Sequence, residues 1–121
     1  MAIKKVLICD DSPTERFHLN EILVRNGFTV SMVETGEDAL EILKGDKPDL
    51  ILMDVVMPGK NGFQITRAIS RDPDTQNIPV IICTSKNQET DRIWGLRQGA
   101  RDYLIKPIDE AELLSKIATL G

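Results

Sequence analysis

Residues 6–15, "VLICDDSPTE", place an apolar run of strand length directly before two adjacent carboxylates and the start of a helix. The two aspartates, Asp10 and Asp11, repel each other, and burial raises the pKa of such a pair unless a cation neutralises it. Ser12 is a good helix N-cap, and Glu15 three residues later completes a capping box. The stretch therefore predicts a strand, an acidic strand end and a helix in immediate succession.

The alternation of strand and helix continues along the whole chain. Runs that are apolar throughout predict central strands, and a run of alternating polarity predicts a half-exposed edge strand. The predicted strands are residues 4–10, 28–34 (the edge strand), 49–54, 79–84 and 102–106. The predicted helices run from Ser12 to Gly27, from Thr35 to Gly45, from Gly62 to the polar loop 71–77, over 87–98 and from Asp109 to Leu120. Five strands alternating with five helices indicate an α/β fold, a parallel sheet covered on both faces.

Composition limits the class of protein. The chain has 121 residues, a net charge of −4 and 41% hydrophobic residues, which fits one globular domain over residues 1–121. Its apolar runs are too short to cross a bilayer, and no signal peptide is apparent. The acidic balance argues against nonspecific binding to nucleic acid or anionic lipid. Cys9 and Cys83 lie in apolar runs, so we expect buried, reduced thiols in a cytoplasmic protein.

Polar side chains stand at the carboxyl ends of the predicted strands, where open α/β sheets bind their ligands. Asp10 and Asp11 follow strand 1, Asp54 follows strand 3, Thr84 follows strand 4 and Lys106 follows strand 5. Mg²⁺ prefers oxygen ligands and is commonly held by one or two carboxylates and a phosphate. Asp11 and Asp54 are candidate direct ligands, with Asp10 acting through water. A carboxylate can also be a nucleophile, and an ammonium and a hydroxyl suit the charge neutralisation that phosphoryl transfer needs.

Each of these residues alone has a simpler explanation. An acid pair can be a solvated helix N-terminus, Asp54 a turn former, Thr84 a helix cap and Lys106 a surface charge. Because all of these residues fall at one edge of the sheet, a functional site is favoured over the separate simpler explanations. His18 has no acidic or cysteine partner at a useful spacing, so it is predicted to be a surface helix residue. Trp94 is compatible with either the core or a partner-binding surface.

Four motifs, each after a predicted strand, resemble those of the CheY-like receiver domains of bacterial two-component signalling. They are "DD" at 10–11, "MDVVMPGKNG" at 53–62, "ICTS" at 82–85 and "YLIKP" at 103–107, and the resemblance covers essentially the whole chain. It implies a flavodoxin-like (βα)5 fold with strand order 2-1-3-4-5. The wording of "DDSPTERFHLNEIL" and "TSKNQETDRIWGLRQGARDYLIKP" is most similar to PilH-type regulators of pilus-driven twitching motility.

The resemblance implies roles for individual residues of the acidic edge. Asp54 is the phosphoacceptor, Asp10 and Asp11 form the acidic pocket, and Val56 supplies a backbone carbonyl to Mg²⁺. Lys106 contacts the phosphoryl group. The expected cofactor is therefore Mg²⁺, bound by Asp10, Asp11, Asp54 and Val56.

The same resemblance implies how a signal leaves the site. Thr84 is expected to act in catalysis together with Asp54 and Lys106, and it also forms a switch pair with Tyr103. Helix 4, strand 5 and helix 5 form the output surface. The Lys106–Pro107 bond is expected to be cis, which an X–Pro bond tolerates. Val56 and Lys86 are expected to border the path of the water that hydrolyses the phosphoryl group.

The expected partners are a CheA-like histidine kinase and a downstream protein, with the chain acting as a monomer. It assists its own phosphorylation and dephosphorylation but is not otherwise an enzyme. Two alternatives stay open: a phosphate sink for a shared kinase, and a small phosphohydrolase with an aspartate nucleophile. The second lacks the usual D-x-D spacing. A DNA-binding regulator is disfavoured, because the chain ends at Gly121 and no output domain is expected.

Overall fold

The computed structural model of the chain describes residues 2–85 and 89–120, and its centre is a five-stranded parallel sheet. The strand order is β2-β1-β3-β4-β5, which confirms the predicted order 2-1-3-4-5. Residue pairing is in register from Val6 opposite Leu50 to Thr84 opposite Ile105. The strands are β1 Lys5–Cys9, β2 Thr29–Val33, β3 Leu50–Asp54, β4 Val80–Thr84 and β5 Asp102–Ile105.

Five helices alternate with the strands, as predicted. They are α1 Pro13–Arg25, α2 Gly36–Leu43, α3 Gly62–Arg71, α4 Glu89–Arg97 and α5 Glu110–Leu120. Helix α2 ends at Leu43, two residues before the predicted stop at Gly45. The predicted start of helix 4 at residue 87 lies outside the described residues.

The N-terminal cap of helix α1 differs in part from the sequence prediction. The Ser12 hydroxyl accepts the Glu15 N–H at 3.3 Å, as an N-cap should. The second half of that capping box was predicted wrongly, because the Ser12 N–H donates to Asp10 Oδ1 at 2.9 Å instead. A complete capping box occurs at α3, between Asn61 and Gln64.

The core lies in two layers, one on each face of the sheet. Helices α1 and α5 cover one face, and α2 and α3 cover the other. Strands β3 and β4 are buried along their whole length, whereas β2 at the edge is half-exposed, as predicted. Cys9 and Cys83 are buried on opposite faces of the sheet, which confirms that both thiols belong to the core. Burial raises the pKa of each thiol to about 12.

Within the described residues, no helix is both long and apolar enough to span a bilayer.

Gly62 allows the first turn of α3 to lie directly against the end of β3. A Cβ at this position would stand 2.0 Å from the carbonyl oxygen of Asp54, a backbone atom that cannot move aside. The Gly62 N–H donates to the Val55 carbonyl at 2.9 Å. Glycine at this position therefore sets where the β3–α3 loop leaves the sheet, immediately beside Asp54.

Candidate functional site

Three carboxylates converge at the carboxyl end of the sheet because β1 and β3 are neighbours. One carboxylate oxygen from each of Asp10, Asp11 and Asp54 lies within 4.8 Å of the other two. Asp10 is 1% exposed and Asp54 is 7% exposed, whereas Asp11 is open to solvent. The predicted acidic pocket is therefore a real cluster, buried on one side and accessible through Asp11.

Lys106 places its ammonium group between two of these carboxylates. Its Nζ donates to Asp10 Oδ2 at 2.9 Å and to Asp54 Oδ1 at 3.1 Å. The Val55 N–H also donates to Asp54 Oδ1, at 2.9 Å. The Lys106 N–H donates to the Thr84 carbonyl at 2.8 Å, which ties the lysine to the end of β4. The Lys106–Pro107 bond is cis, as expected.

The ionisation of the cluster follows from burial and from the neighbouring charges. Burial, and next the charge of Asp10, raise the pKa of Asp54 to about 6, while Lys106 opposes the rise. Burial works against the charged form of Lys106, but its bond to Asp10 and the charge of Asp54 prevail and raise its pKa. At neutral pH both groups are therefore charged, and Asp54 is an ionised carboxylate.

The donor set fits Mg²⁺. The cluster offers only carboxylate oxygens, the ligands that this ion prefers. Three carboxylates against one ammonium leave an excess of two negative charges, which a divalent cation would neutralise. Asp10, Asp11 and Asp54 are therefore the residues that would hold the ion. The Val56 carbonyl remains a predicted fourth ligand, and the Val56 side chain is 64% exposed in the loop after β3.

Thr84 and Tyr103 lie together at the β4–β5 side of the site. Thr84 is buried, and Tyr103 pairs with Ile82 on the neighbouring strand. Both residues line a cavity of about 10 Å³, the size of one water molecule. Arg92 and Lys116 each hold their charge 5.5 Å from the centre of the Tyr103 ring. A cavity of this size is too small to hold an aromatic ring.

Three further residues were singled out in the sequence: His18, Trp94 and Lys86. His18 is an exposed helix residue, as predicted, and its Nε2 lies 3.0 Å from the Ile108 carbonyl. Trp94 is 51% exposed on α4, which favours the partner surface over the core. Lys86, predicted to border the water path, lies outside the described residues.

Sequence reasoning missed one charged residue beside the pocket. Arg16 donates from Nη1 to the Asp10 carbonyl at 2.8 Å and from Nη2 to Glu34 at 3.3 Å. A signal was available, since the helix dipole disfavours a cation in the first turns of a helix. Arg16 is such a cation, four residues after the N-cap Ser12.

The chain is similar to known signalling proteins over nearly its whole length. The family described as response regulator receiver domain matches residues 6–118. Protein PilH of Pseudomonas aeruginosa is 54% identical over 113 residues, which are 93% of each chain. Response regulator PleD of Caulobacter vibrioides is 39% identical over 96% of this chain, which spans only 26% of PleD.

Solved structures agree with the sequence comparison. A putative response regulator from Chloroflexus aurantiacus superposes with a TM-score of 0.94 at 30% identity, covering 98% of this chain and 97% of its own. The chemotaxis response regulator CheY4 of Vibrio cholerae superposes with a TM-score of 0.90 at 27% identity, covering 99% of this chain and 100% of its own.

Proposed function

The chain belongs to the response regulator receiver family, and from that premise we propose that Asp54 accepts a phosphoryl group from a histidine kinase. The observation that carries the assignment is the position of Asp54. It is a buried carboxylate at the end of a central strand, bonded to Lys106 and clustered with Asp10 and Asp11. The phosphorylated form then signals by binding another protein.

The hydrogen bonds around Asp54 distinguish its two oxygens. Both bonds given by the described residues, from Val55 N–H and Lys106 Nζ, go to Oδ1. Oδ2 is therefore the oxygen that we assign as nucleophile. It forms a bond to phosphorus, and the bond from phosphorus to the donor breaks, with the electron pair leaving on the donor group.

The other residues of the pocket neutralise charge and hold positions. Asp10, Asp11 and Asp54 would hold a Mg²⁺ ion, which would supply positive charge to the oxygens of the transferring phosphoryl group. Lys106 adds its own positive charge from the side of Asp10 and Asp54, and the Thr84 hydroxyl is a hydrogen-bond donor at the end of β4. Phosphoryl transfer depends mainly on such positioning and charge neutralisation.

We expect the protein to phosphorylate itself with acetyl phosphate, a small acyl phosphate, only when Mg²⁺ is present. The reason is that the excess negative charge of the pocket repels a phosphate donor until a cation compensates it. Intact-mass spectrometry would follow uptake of one phosphoryl group per chain with Mg²⁺ and with a chelator. Equal uptake under both conditions, or none under either, would contradict the proposal.

We propose that phosphorylation is transmitted through Thr84 and Tyr103 to α4, β5 and α5. The phosphoryl oxygens offer acceptors toward which the Thr84 hydroxyl can move. That movement enlarges the cavity beside β4, so the Tyr103 ring can turn inward and bury more apolar surface. Helix α4 carries three large exposed apolar side chains, Ile93, Trp94 and Leu96, a composition suited to binding a partner.

The Thr84→Ala variant should still be phosphorylated but should no longer transmit the change. Phosphorylation can shift a conformational equilibrium only through an interaction that differs between the two states, and the hydroxyl supplies that interaction. Amide hydrogen exchange over residues 89–105, measured with and without phosphorylation, tests this. Ser85→Ala, which removes the neighbouring exposed hydroxyl, is the control. A full exchange response in Thr84→Ala would show that another residue is the switch.

Our proposal for the pathway and partners rests on the sequence resemblance and on the 54% sequence identity to PilH. We place the chain in type IV pilus twitching motility or chemotaxis, with a CheA-like kinase as phosphodonor. We further propose that it works in the cytoplasm as a monomer. In this function it is not an enzyme acting on free substrates, since its own Asp54 is the group that is modified.

A further inference from the structure

Every polar atom of Asp10 is held by a different part of the chain. Its N–H donates to the Val33 carbonyl at 3.1 Å, which ties it to β2. Oδ1 accepts the Ser12 N–H at 2.9 Å, and Oδ2 accepts from Lys106 at 2.9 Å. The carbonyl oxygen accepts from Arg16 Nη1 at 2.8 Å. Asp10 is 1% exposed, so these bonds satisfy groups that are almost entirely buried in the metal-free protein.

Two of these four partners are side chains, Lys106 and Arg16. The Arg16 side chain is itself largely buried. It is 16% exposed, against 68% for its second partner, Glu34. Glu34 follows β2, so the guanidinium spans from the β1–α1 loop to the β2–α2 loop. The helix dipole makes the start of α1 unfavourable for the Arg16 cation. The hydrogen bond from Arg16 to the buried carbonyl of Asp10 offsets that cost.

We propose that Arg16 is a positioning residue for the acidic pocket. By holding the carbonyl of Asp10, it fixes the backbone from which the Asp10 carboxylate projects toward Asp54 and Lys106. Without Arg16, a buried carbonyl oxygen loses its partner, and the backbone at Asp10 moves to recover one. The proposal rests on the Mg²⁺-dependent role proposed above for the same pocket.

The direction of the change in Mg²⁺ affinity separates positioning from a simple charge effect. If Arg16 acted only as a nearby positive charge, its removal would make the pocket more negative and tighten Mg²⁺ binding. If Arg16 positions Asp10, its removal disorders a ligand and weakens Mg²⁺ binding. Loss of a residue that orients a metal ligand typically lowers metal affinity by about 10–100-fold.

The test is calorimetric titration of Mg²⁺ alone into the full chain and four variants. Arg16→Met should lose about tenfold in affinity. Arg16→Lys, which keeps the charge and one donor, should fall between Arg16→Met and wild type. Glu34→Gln should stay near wild type, because the exposed Glu34 contact does not hold Asp10. Arg25→Met is the matched control, since Arg25 is in the same helix and pairs with Glu110 far from the pocket.

A second measurement needs no metal. In metal-free protein, the Ser12 amide hydrogen bonded to Asp10 should exchange faster in Arg16→Met than in Arg25→Met, by about tenfold, which corresponds to 1.4 kcal/mol. Equal exchange in both variants, or Mg²⁺ affinity that is unchanged or tighter in Arg16→Met, would overturn the proposal. If Arg16→Met does not fold, the same two measurements are made on Arg16→Lys, with Arg25→Lys as its control. Neither readout requires phosphorylation, so failure of the Asp54 assignment would be distinguishable.

Discussion

The Asp54→Asn variant should take up no phosphoryl group from acetyl phosphate or from a kinase, even with Mg²⁺ at saturation. An amide lacks the carboxylate nucleophile, so the bond to phosphorus cannot form. The fold should survive, because the Asn oxygen can still accept from Val55 and Lys106. Replacing Asp54 should even stabilise the metal-free protein, since burial and the charge of Asp10 disfavour the ionised form. Intact-mass spectrometry and urea unfolding measure the two effects.

Asp74→Asn provides the matched control for this substitution. Asp74 is an exposed aspartate in the loop between α3 and β4, away from the pocket. Its replacement makes the same chemical change, and phosphorylation should proceed as in wild type. Wild-type uptake by Asp54→Asn would show that a different residue is the acceptor.

Among the variants proposed, Lys106→Met should show the largest change in the free energy of unfolding and in the dependence of that free energy on Mg²⁺. Removing the ammonium leaves Asp10 and Asp54 adjacent, with side chains 2% and 9% exposed and without the cation that bonds to both of them. Removing one partner of a buried ion pair costs about 3–5 kcal/mol in the free energy of unfolding, and we expect the lower end here because the Lys106 side chain is 12% exposed. Mg²⁺ should recover the loss and should bind about tenfold tighter, because the competing ammonium is gone. Urea unfolding with and without Mg²⁺, together with calorimetry, measures both effects.

Lys116→Met is the control for Lys106→Met. Lys116 also pairs with an aspartate, Asp102 at 2.9 Å, but both side chains are more exposed. Partly exposed pairs contribute less than buried ones, so the stability loss should be smaller, about 1 kcal/mol, and should not depend on Mg²⁺. If the two variants lost the same stability and responded alike to Mg²⁺, Lys106 would not be the counter-ion of the pocket.

The position of the site could be predicted because the carboxyl ends of parallel strands meet at one edge of the sheet. Strands β3 and β4 are apolar throughout, and the polar residues that end them, Asp54 and Thr84, stand out in the sequence. Asp10, Asp54 and Lys106 meet as expected. Their individual roles, and that of Val56 as a ligand, stay predictions.

Contacts that depend on side-chain direction could not be predicted. The sequence pattern assigned the Ser12 N–H to Glu15, but folding places Asp10 Oδ1 closer, and the bond goes there. The unfavourable place of Arg16 near the start of α1 singles out the residue, but its contact to the Asp10 carbonyl depends on where the β1–α1 loop turns. Glu37 likewise reaches across 23 residues to accept the Lys60 N–H in the β3–α3 loop.

Chemical mapping of the phosphorylated residue is the most direct experiment on the role of Asp54. Borohydride reduces an acyl phosphate to an alcohol, so a phosphorylated aspartate becomes homoserine. Wild-type protein is treated with acetyl phosphate and Mg²⁺, reduced with borohydride, digested and sequenced by tandem mass spectrometry. Homoserine is expected at position 54, dependent on both acetyl phosphate and Mg²⁺. Homoserine at position 10 or 11, with residue 54 unchanged, would contradict it.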